Sequence, residues 1–232
     1  MTGDNEEVTR PRPGRPRHVP DDGDRSPREQ ILDAAAELFV AQGISATSTR
    51  AIAEKVGIRQ ASLYYHFAGK DAILLELLRT SVRPSLDMVR ALDELDPAPP
   101  PAAAVYALVL ADAQLLAAAP HNVGLLYHLP EVQRERYDSF REERQELQDA
   151  YARFGARVAG EAPASPAAAR RGELLLQLVE VVIQQRRVRD PDDADCAAIA
   201  EACLRVCGAA PDDIAAAQSA ARCGLLPARV RT

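Results

Sequence analysis

RQASLYYHF, residues 59–67, places two of the chain's six Tyr and one of its four Phe within four consecutive positions, with a His among them. At 100° per residue a helix puts Leu63 and Phe67 on one side, which gives that helix an anchor in a core. The same geometry leaves Ala61 and Tyr65 opposite, flanked by Gln60, Ser62, Tyr64 and His66. An apolar anchor on one face with a Gln, hydroxyls and an imidazole on the other describes a helix laid against another macromolecule.

Working outward, the helix punctuation is regular. Ser26-Pro27-Arg28-Glu29 supplies an N-cap, an N1 proline and a capping-box Glu in order. Ile31, Leu32, Ala35, Leu38 and Phe39 follow at helical spacing, and Gly43 closes that helix. Thr47 and Ser48 open a shorter helix carrying Ile52, Ala53 and Val56 that ends at Gly57. The opening stretch is the third helix. A fourth begins at Gly69-Lys70, and Pro84 is expected to kink or split it. Two short helices across a Gly-containing turn, braced by a longer first helix, make a helix-turn-helix.

DNA chemistry accounts for the exposed side chains of this unit. Gln60 matches an adenine edge in the major groove, and Arg50 a guanine edge. Ala61 lets the backbone approach and meets a thymine methyl. Ser62, Tyr64, Tyr65 and His66 offer donors to phosphate oxygens, while Thr47, Ser48 and Lys70 lie at helix N-termini that favour a phosphate. Between residues 44 and 70 four basic side chains (Arg50, Lys55, Arg59, Lys70) face Glu54 alone, although the whole chain carries −6. The local field therefore has the opposite sign to the net charge.

These segments, ILDAAAELFVAQG, TSTRAIAEKVGI and SLYYHFAGKDAILLELL, resemble the DNA-binding domain of TetR-family transcriptional regulators over residues 28–78. The resemblance implies operator contacts from Thr47, Ser48, Arg50, Gln60, Ala61, Ser62, Tyr64, Tyr65, His66 and Lys70. The family often has Ser where this chain has Arg59, at the cap of the third helix. Arg59 is expected to reach a phosphate or a base instead. The resemblance further implies a C-terminal part that binds a small molecule and forms a homodimer, with repression as the usual mode.

The rest of the chain fits that outline. Residues 1–25 lack hydrophobic periodicity and read as a flexible basic arm. Within it PRPGRPR resembles an AT-hook, which assigns Arg15 and Arg17 to the minor groove. Residues 26–82 form the expected DNA-binding domain, and 83–232 the expected ligand-binding and dimerisation domain, entered through the proline-rich DPAPPP (96–101). Helices are expected near 102–118, briefly around 121–128, from about 131 to 158, and from Ser165-Pro166 to about 187. Two more start at Asp190-Pro191 and Ala210-Pro211. In the 131–158 helix REER (141–144) is assigned to the wet face. The chain reads as all-α.

ELLLQLVEVVI (173–183) is apolar on more than one face, and small residues recur over 196–207. Helices near 166–187 and 192–207 are thus assigned to a four-helix dimer interface. Polar groups within otherwise apolar segments, Tyr106, Gln114, His121, Tyr127 and His128, are the candidate ligand contacts. The partners expected are a double-stranded, palindromic operator, a second copy of the chain and a small-molecule effector.

Other classes are disfavoured. No GxSxG, HExxH, Walker or dinucleotide fingerprint occurs, the four His are scattered, and neither catalysis, a metal nor a cofactor is expected. The four Cys lack metal-ligand spacing and read as small packing residues. The apolar runs 102–119 and 174–183 are interrupted by Asp112 and Gln114, and by Gln177 and Glu180, so no membrane span is expected. The location expected is cytoplasmic.

Overall fold

A computed structural model describes residues 25–221, and these contain helices and no strand. Arg15, Arg17 and Cys223 lie outside the described residues. Helices α1 (Pro27–Gln42), α2 (Thr49–Val56) and α3 (Gln60–His66) form an N-terminal unit. Helix α4 (Lys70–Asp93) leads into a body of α5 (Pro101–Ala118), α6 (Asp138–Ala159), α7 (Pro166–Gln185), α8 (Asp193–Val206) and α9 (Pro211–Ala220).

Local chemistry sets the N-terminal unit. The Ser26 hydroxyl accepts from the Glu29 N–H at 3.3 Å, and the Glu29 carboxylate accepts from the Ser26 N–H at 2.7 Å. Helix α2 stops at Gly57, whose φ of +77° turns the chain in a conformation most L-residues avoid. Helix α3 has no side-chain cap at Arg59, a deficit of about 1 kcal/mol. Burial of Leu63 and Phe67, about 1.5–3 kcal/mol for each side chain, outweighs it.

Helix α5 is the centre of the body, with α4, α6, α7, α8 and α9 all packed on it. By length and composition it is the one helix among the described residues apolar enough to cross a membrane. Here its residues Ala103–Val109 and Ala111–Ala113 are buried by neighbouring helices, as expected of a helix that is apolar all round. Cys196, Cys203 and Cys207 are free and buried, and burial pushes their thiols up to about 11, 12 and 11.

Several expectations are corrected. Of the kink or split expected at Pro84, the split does not occur: helix α4 runs through it. Pro84 and Thr80 are exposed, so the Thr80 carbonyl, which loses its donor, faces water. The helix expected from 131 begins only at Asp138. Residues 130–137 form two 3₁₀ turns, Pro130–Gln133 and Glu135–Tyr137, separated by Arg134 in extended conformation. The Arg141 guanidinium donates to the Val132 and Arg134 carbonyls, replacing the helical partners they lack. The short helix expected around 121–128 is another 3₁₀ turn, Val123–Leu126. Residues 121–137 together form a strap along the body.

REER is not uniformly wet. Glu143 receives Arg79 at 2.6 Å and Arg144 closes on Glu180, with these four side chains only 12–31% exposed. Charge type suggested water, but the helical period sets 143 and 144 within about 60° of the Phe140–Leu147–Tyr151 face, and α4 and α7 pack on that side.

Helices α6 and α7 cross closely at Gly172. A Cβ there would lie 2.6 Å from the Ala152 Cβ and 2.7 Å from the Ala152 nitrogen and the Gln148 carbonyl. Gly→Ala in a free helix gains up to about 1 kcal/mol. Overpacking against backbone costs about 1–3 kcal/mol. Gly172→Ala is therefore expected to lower the Tm, read by circular dichroism; a raised Tm would contradict this close crossing.

Candidate DNA-reading surface and buried polar cavity

The outer face of α2 and α3 brings together most of the residues assigned to DNA. Ser48, Arg50, Arg59, Gln60, Ala61, Ser62, Tyr64 and Tyr65 are exposed, Tyr65 by 88%, while His66 and Lys70 are half-buried. Leu63 and Phe67 point the other way into the core, and the Arg28 guanidinium lies 4.5 Å over the Phe67 ring. Ser48 caps α2 by accepting from the Ala51 N–H at 3.1 Å.

Two assigned residues are engaged internally. Thr47 is buried, and its hydroxyl donates to the Gly43 carbonyl at 2.8 Å. Helix α2 starts at Thr49 rather than Thr47, which turns the Thr47 side chain inward. Lys70 donates to the Ile44 and Thr47 carbonyls at 2.7 and 2.9 Å. Both side chains fasten the α1–α2 loop and set the height at which Ser48 stands.

Thr49 escaped the sequence reading. Its hydroxyl accepts from Gln60 Nε2 at 2.9 Å and lies 3.2 Å from the Tyr64 hydroxyl. One amide hydrogen of Gln60 is thereby held by the protein. The other hydrogen and Oε1 remain for a bidentate approach to an adenine edge. Arg50 is paired with Glu54 at 2.8 Å along α2, and this pairing raises its pKa, the hydrogen bond to Glu54 first.

The candidate ligand contacts do not share one site. Tyr106 is buried in α5, and Gln114 donates to Asp193 at 3.0 Å. His121 lies 3.2 Å from Asp33 of α1, beside an open groove between α1, α4 and residues 119–123. His128 is 63% exposed and 3.5 Å from Glu180. Tyr127 alone of the five lines a small polar cavity of about 20 Å³ inside the body, enough for one water.

That cavity is built around residues the candidate set lacked. Asp112 of α5 is 5% exposed and accepts from the Ser85 hydroxyl at 2.7 Å and the Tyr151 hydroxyl at 2.8 Å. Burial pushes its carboxyl up to about 6, against the lowering effect of those two hydrogen bonds. Tyr127 is bonded to the Ser81 hydroxyl at 2.8 Å, and Arg144 holds both Glu180 oxygens at 2.5 and 2.6 Å. Burial raises both tyrosines above the ordinary phenol value. The signal was present in the sequence as a lone carboxylate within the apolar PAAAVYALVLADAQLLAA, where it served only to exclude a membrane span.

A helix-turn-helix unit with this outward polar face, carried on an all-helical body, defines the class of DNA-reading helical proteins. Residues 31–77 match the bacterial regulatory proteins of the tetR family. The solved structure of Mycobacterium smegmatis AmtR is 40% identical, with 88% of this chain and 97% of that chain covered and a TM-score of 0.78. The transcriptional repressor KstR2 of Rhodococcus jostii is 46% identical over 52 residues, 22% of this chain and 26% of that protein. The class D tetracycline repressor of Escherichia coli is 47% identical over 47 residues, 20% of this chain and 22% of that protein. The chain thus matches about a quarter of the length of these last two relatives. The chain belongs to the TetR family and is a DNA-binding transcriptional regulator.

Gln60→Ala is expected to weaken binding to a duplex selected by the wild-type protein by about 1–3 kcal/mol, with affinity for scrambled DNA unchanged. Thr49→Val should give part of that loss and Thr49→Ser little of it. Fluorescence anisotropy at fixed salt reads the difference, and equal losses on both duplexes would place Gln60 outside base recognition.

Proposed function

We propose that the chain is a ligand-responsive repressor: a homodimer that holds a palindromic, double-stranded operator and releases it when a small molecule enters the body. Residues 26–82 read the DNA and 83–232 bind the ligand and the second subunit. Arg15 and Arg17 of the arm 1–25 enter the minor groove. The protein works where its DNA is, in the cytoplasm, and it is not an enzyme. The names of relatives that include repressors favour repression over activation.

One observation carries the ligand-responsive part of the reading. The strap 121–137 touches the cavity on one side and the N-terminal unit on the other. Its Tyr127 lines the cavity and its Asn122 donates to the Ile183 carbonyl at 2.8 Å. Toward the reading unit, His121 meets Asp33 of α1, and Ser45 of the α1–α2 loop donates to Glu131 at 3.2 Å. Asp71, in the first turn of α4, takes both the Tyr137 hydroxyl at 2.8 Å and the Arg136 guanidinium. A ligand that displaces Tyr127 therefore strains contacts to α1, the loop and α4 together. Two reading units must sit about 34–36 Å apart, or a multiple of it, to use successive major grooves. A ligand that favours another spacing lowers operator affinity by linkage.

The dimer reading rests on apolar surface. Leu174 and Val181 of α7 are 55% and 41% exposed, and Val206 of α8 is 41% exposed. Ala194 and Ala198 lie exposed along α8. Helices α7 and α8 pack side by side, and Leu174 with Val181 on α7 and Ala194 with Ala198 on α8 each share one side of their helix, where a second copy would pack. Leu174→Glu combined with Val181→Glu is expected to yield a monomer in sedimentation velocity with unchanged helicity. A dimer of wild-type mass would remove these helices from the interface.

The function is tested by anisotropy on the DNA upstream of the protein's own gene against a scrambled duplex. A regulator is expected to prefer its operator by about 4–10 kcal/mol. Equal, salt-sensitive binding to both, on this duplex and on sequences drawn from a genome-wide selection, would instead describe an architectural DNA protein.

A further inference from the structure

The charges around the cavity do not balance. Glu180 is closed by Arg144, whose Nη2 reaches both carboxylate oxygens, so those two charges cancel. Asp112 receives only neutral donors, the hydroxyls of Ser85 and Tyr151. A carboxylate offers about four lone-pair sites, and these two hydroxyls fill two. One negative charge, with acceptor capacity to spare, therefore stands at a cavity that has room for a single water.

A buried carboxylate without a cation is unfavourable, because desolvation weighs on the charged form. Three kinds of occupant differ in how they meet it. An anion adds repulsion, and a neutral group adds a hydrogen bond and leaves the charge. A cation answers both the lone pairs and the charge, at low dielectric where the attraction is strongest. Opposing this, Arg144 also borders the cavity, and its Nε has no protein acceptor. That donor favours an occupant bearing oxygen, so carboxylates belong in the test.

We infer that this cavity selects a small protonated amine, with the Asp112 carboxylate as its counter-ion. The inference rests on the reading of the cavity as the effector site. An ammonium head is about the size of the water the cavity can hold, so any alkyl group on it must push the wall outward. Tyr127 is the part of the wall carried by the strap, and its hydroxyl is held there by Ser81 alone. Binding a substituted amine and displacing the strap are then one event. Such coupling is what an inducer requires.

The test uses the full-length dimer and matched probes at equal ionic strength: propylammonium and benzylammonium, propanol and benzyl alcohol, propionate and benzoate. Thermal shift is read at pH 7.5 for the wild type and for Asp112→Asn, whose amide keeps both hydroxyl partners. The ammonium members are expected to raise the wild-type Tm by about 2–4 °C, with the alcohols and carboxylates weaker and the ammonium preference lost in the variant. If that variant fails to fold, the wild type at pH 5 replaces it. Protonation of Asp112, whose carboxyl is pushed up to about 6, then removes most of the counter-ion and should weaken ammonium binding about tenfold.

The other titratable groups nearby are Arg144, Glu180, Tyr127, Tyr151 and the Cys203 thiol, with His128 beside Glu180. The His128 Nε2 lies 3.5 Å from that carboxylate. The pH comparison is therefore repeated in His128→Gln, where the loss should persist. Equal stabilisation by alcohols or carboxylates, no stabilisation by any ammonium, or an ammonium preference retained in Asp112→Asn or undiminished at pH 5 overturns the inference. Ammonium binding that leaves operator affinity unchanged keeps the cation site and removes instead its role as the effector site.

Discussion

The Asp112 carboxylate is the constraint around which the body is arranged. It sits on α5, the helix that every other body helix packs against, and it is buried among apolar residues. A group of this kind must find donors, and the two it has come from different helices: Ser85 from α4 and Tyr151 from α6. Those two hydrogen bonds fix how far α4 and α6 stand from α5 at the level of the cavity. Because α4 begins at Lys70 beside the reading unit, a distance set deep in the body also helps to set the attitude of α3. The directional pair adds a distance and angle requirement to the close apolar packing of α4.

The reading unit follows a second logic, in which residues of DNA-binding type are divided between display and support. Gln60, Arg50, Ser62, Tyr64 and Tyr65 are displayed. Thr47 and Lys70 hold the α1–α2 loop through carbonyls at Gly43, Ile44 and Thr47 itself. Thr49 stands between the groups, bonded to Gln60 and Tyr64. A side chain already oriented loses less freedom when it makes a contact, so support inside the unit lowers the ordering cost of binding.

Much of this was legible in the sequence, for identifiable reasons. The boundaries of α1, α2 and α3 followed from Ser26-Pro27, Gly57 and the Leu63/Phe67 pair, because caps, left-handed glycines and helical anchors are local signals. The polar outer face of α3 was legible for the same reason. The strap was not: Val132 and Phe140 keep an apolar rhythm that reads as helix, and only Arg134 in extended conformation and the Arg141 guanidinium turn 130–137 into 3₁₀ geometry. The cavity escaped for a different reason. Its members, Ser85, Asp112, Arg144, Tyr151 and Glu180, come from four helices, and no local pattern says that they meet. Arg144 and Glu143 even carried the opposite signal, since a charge run on an amphipathic helix ordinarily faces water.

The strengths of the contacts decide what kind of switch this arrangement makes. The links from the strap to the reading unit are hydrogen bonds and ion pairs at least partly in water, of a type worth about 1 kcal/mol or less apiece. Moving a two-state equilibrium from 99:1 to 1:99 takes about 5.5 kcal/mol. Such links transmit a displacement but are too weak to power it. The stronger interaction is in the body, where the desolvated Asp112 carboxylate accepts from two hydroxyls and Arg144 at the same cavity is paired with Glu180. An occupant that answers this charge acts on an interaction of about 3 kcal/mol, the size of a rise from 3.8 to about 6, larger than any single link of the strap. A stiffer strap, for instance one continuous helix from 130 to 159, would couple the same two regions but resist the displacement. The broken 3₁₀ geometry of residues 121–137 thus joins the cavity wall at Tyr127 to α1, the α1–α2 loop and α4.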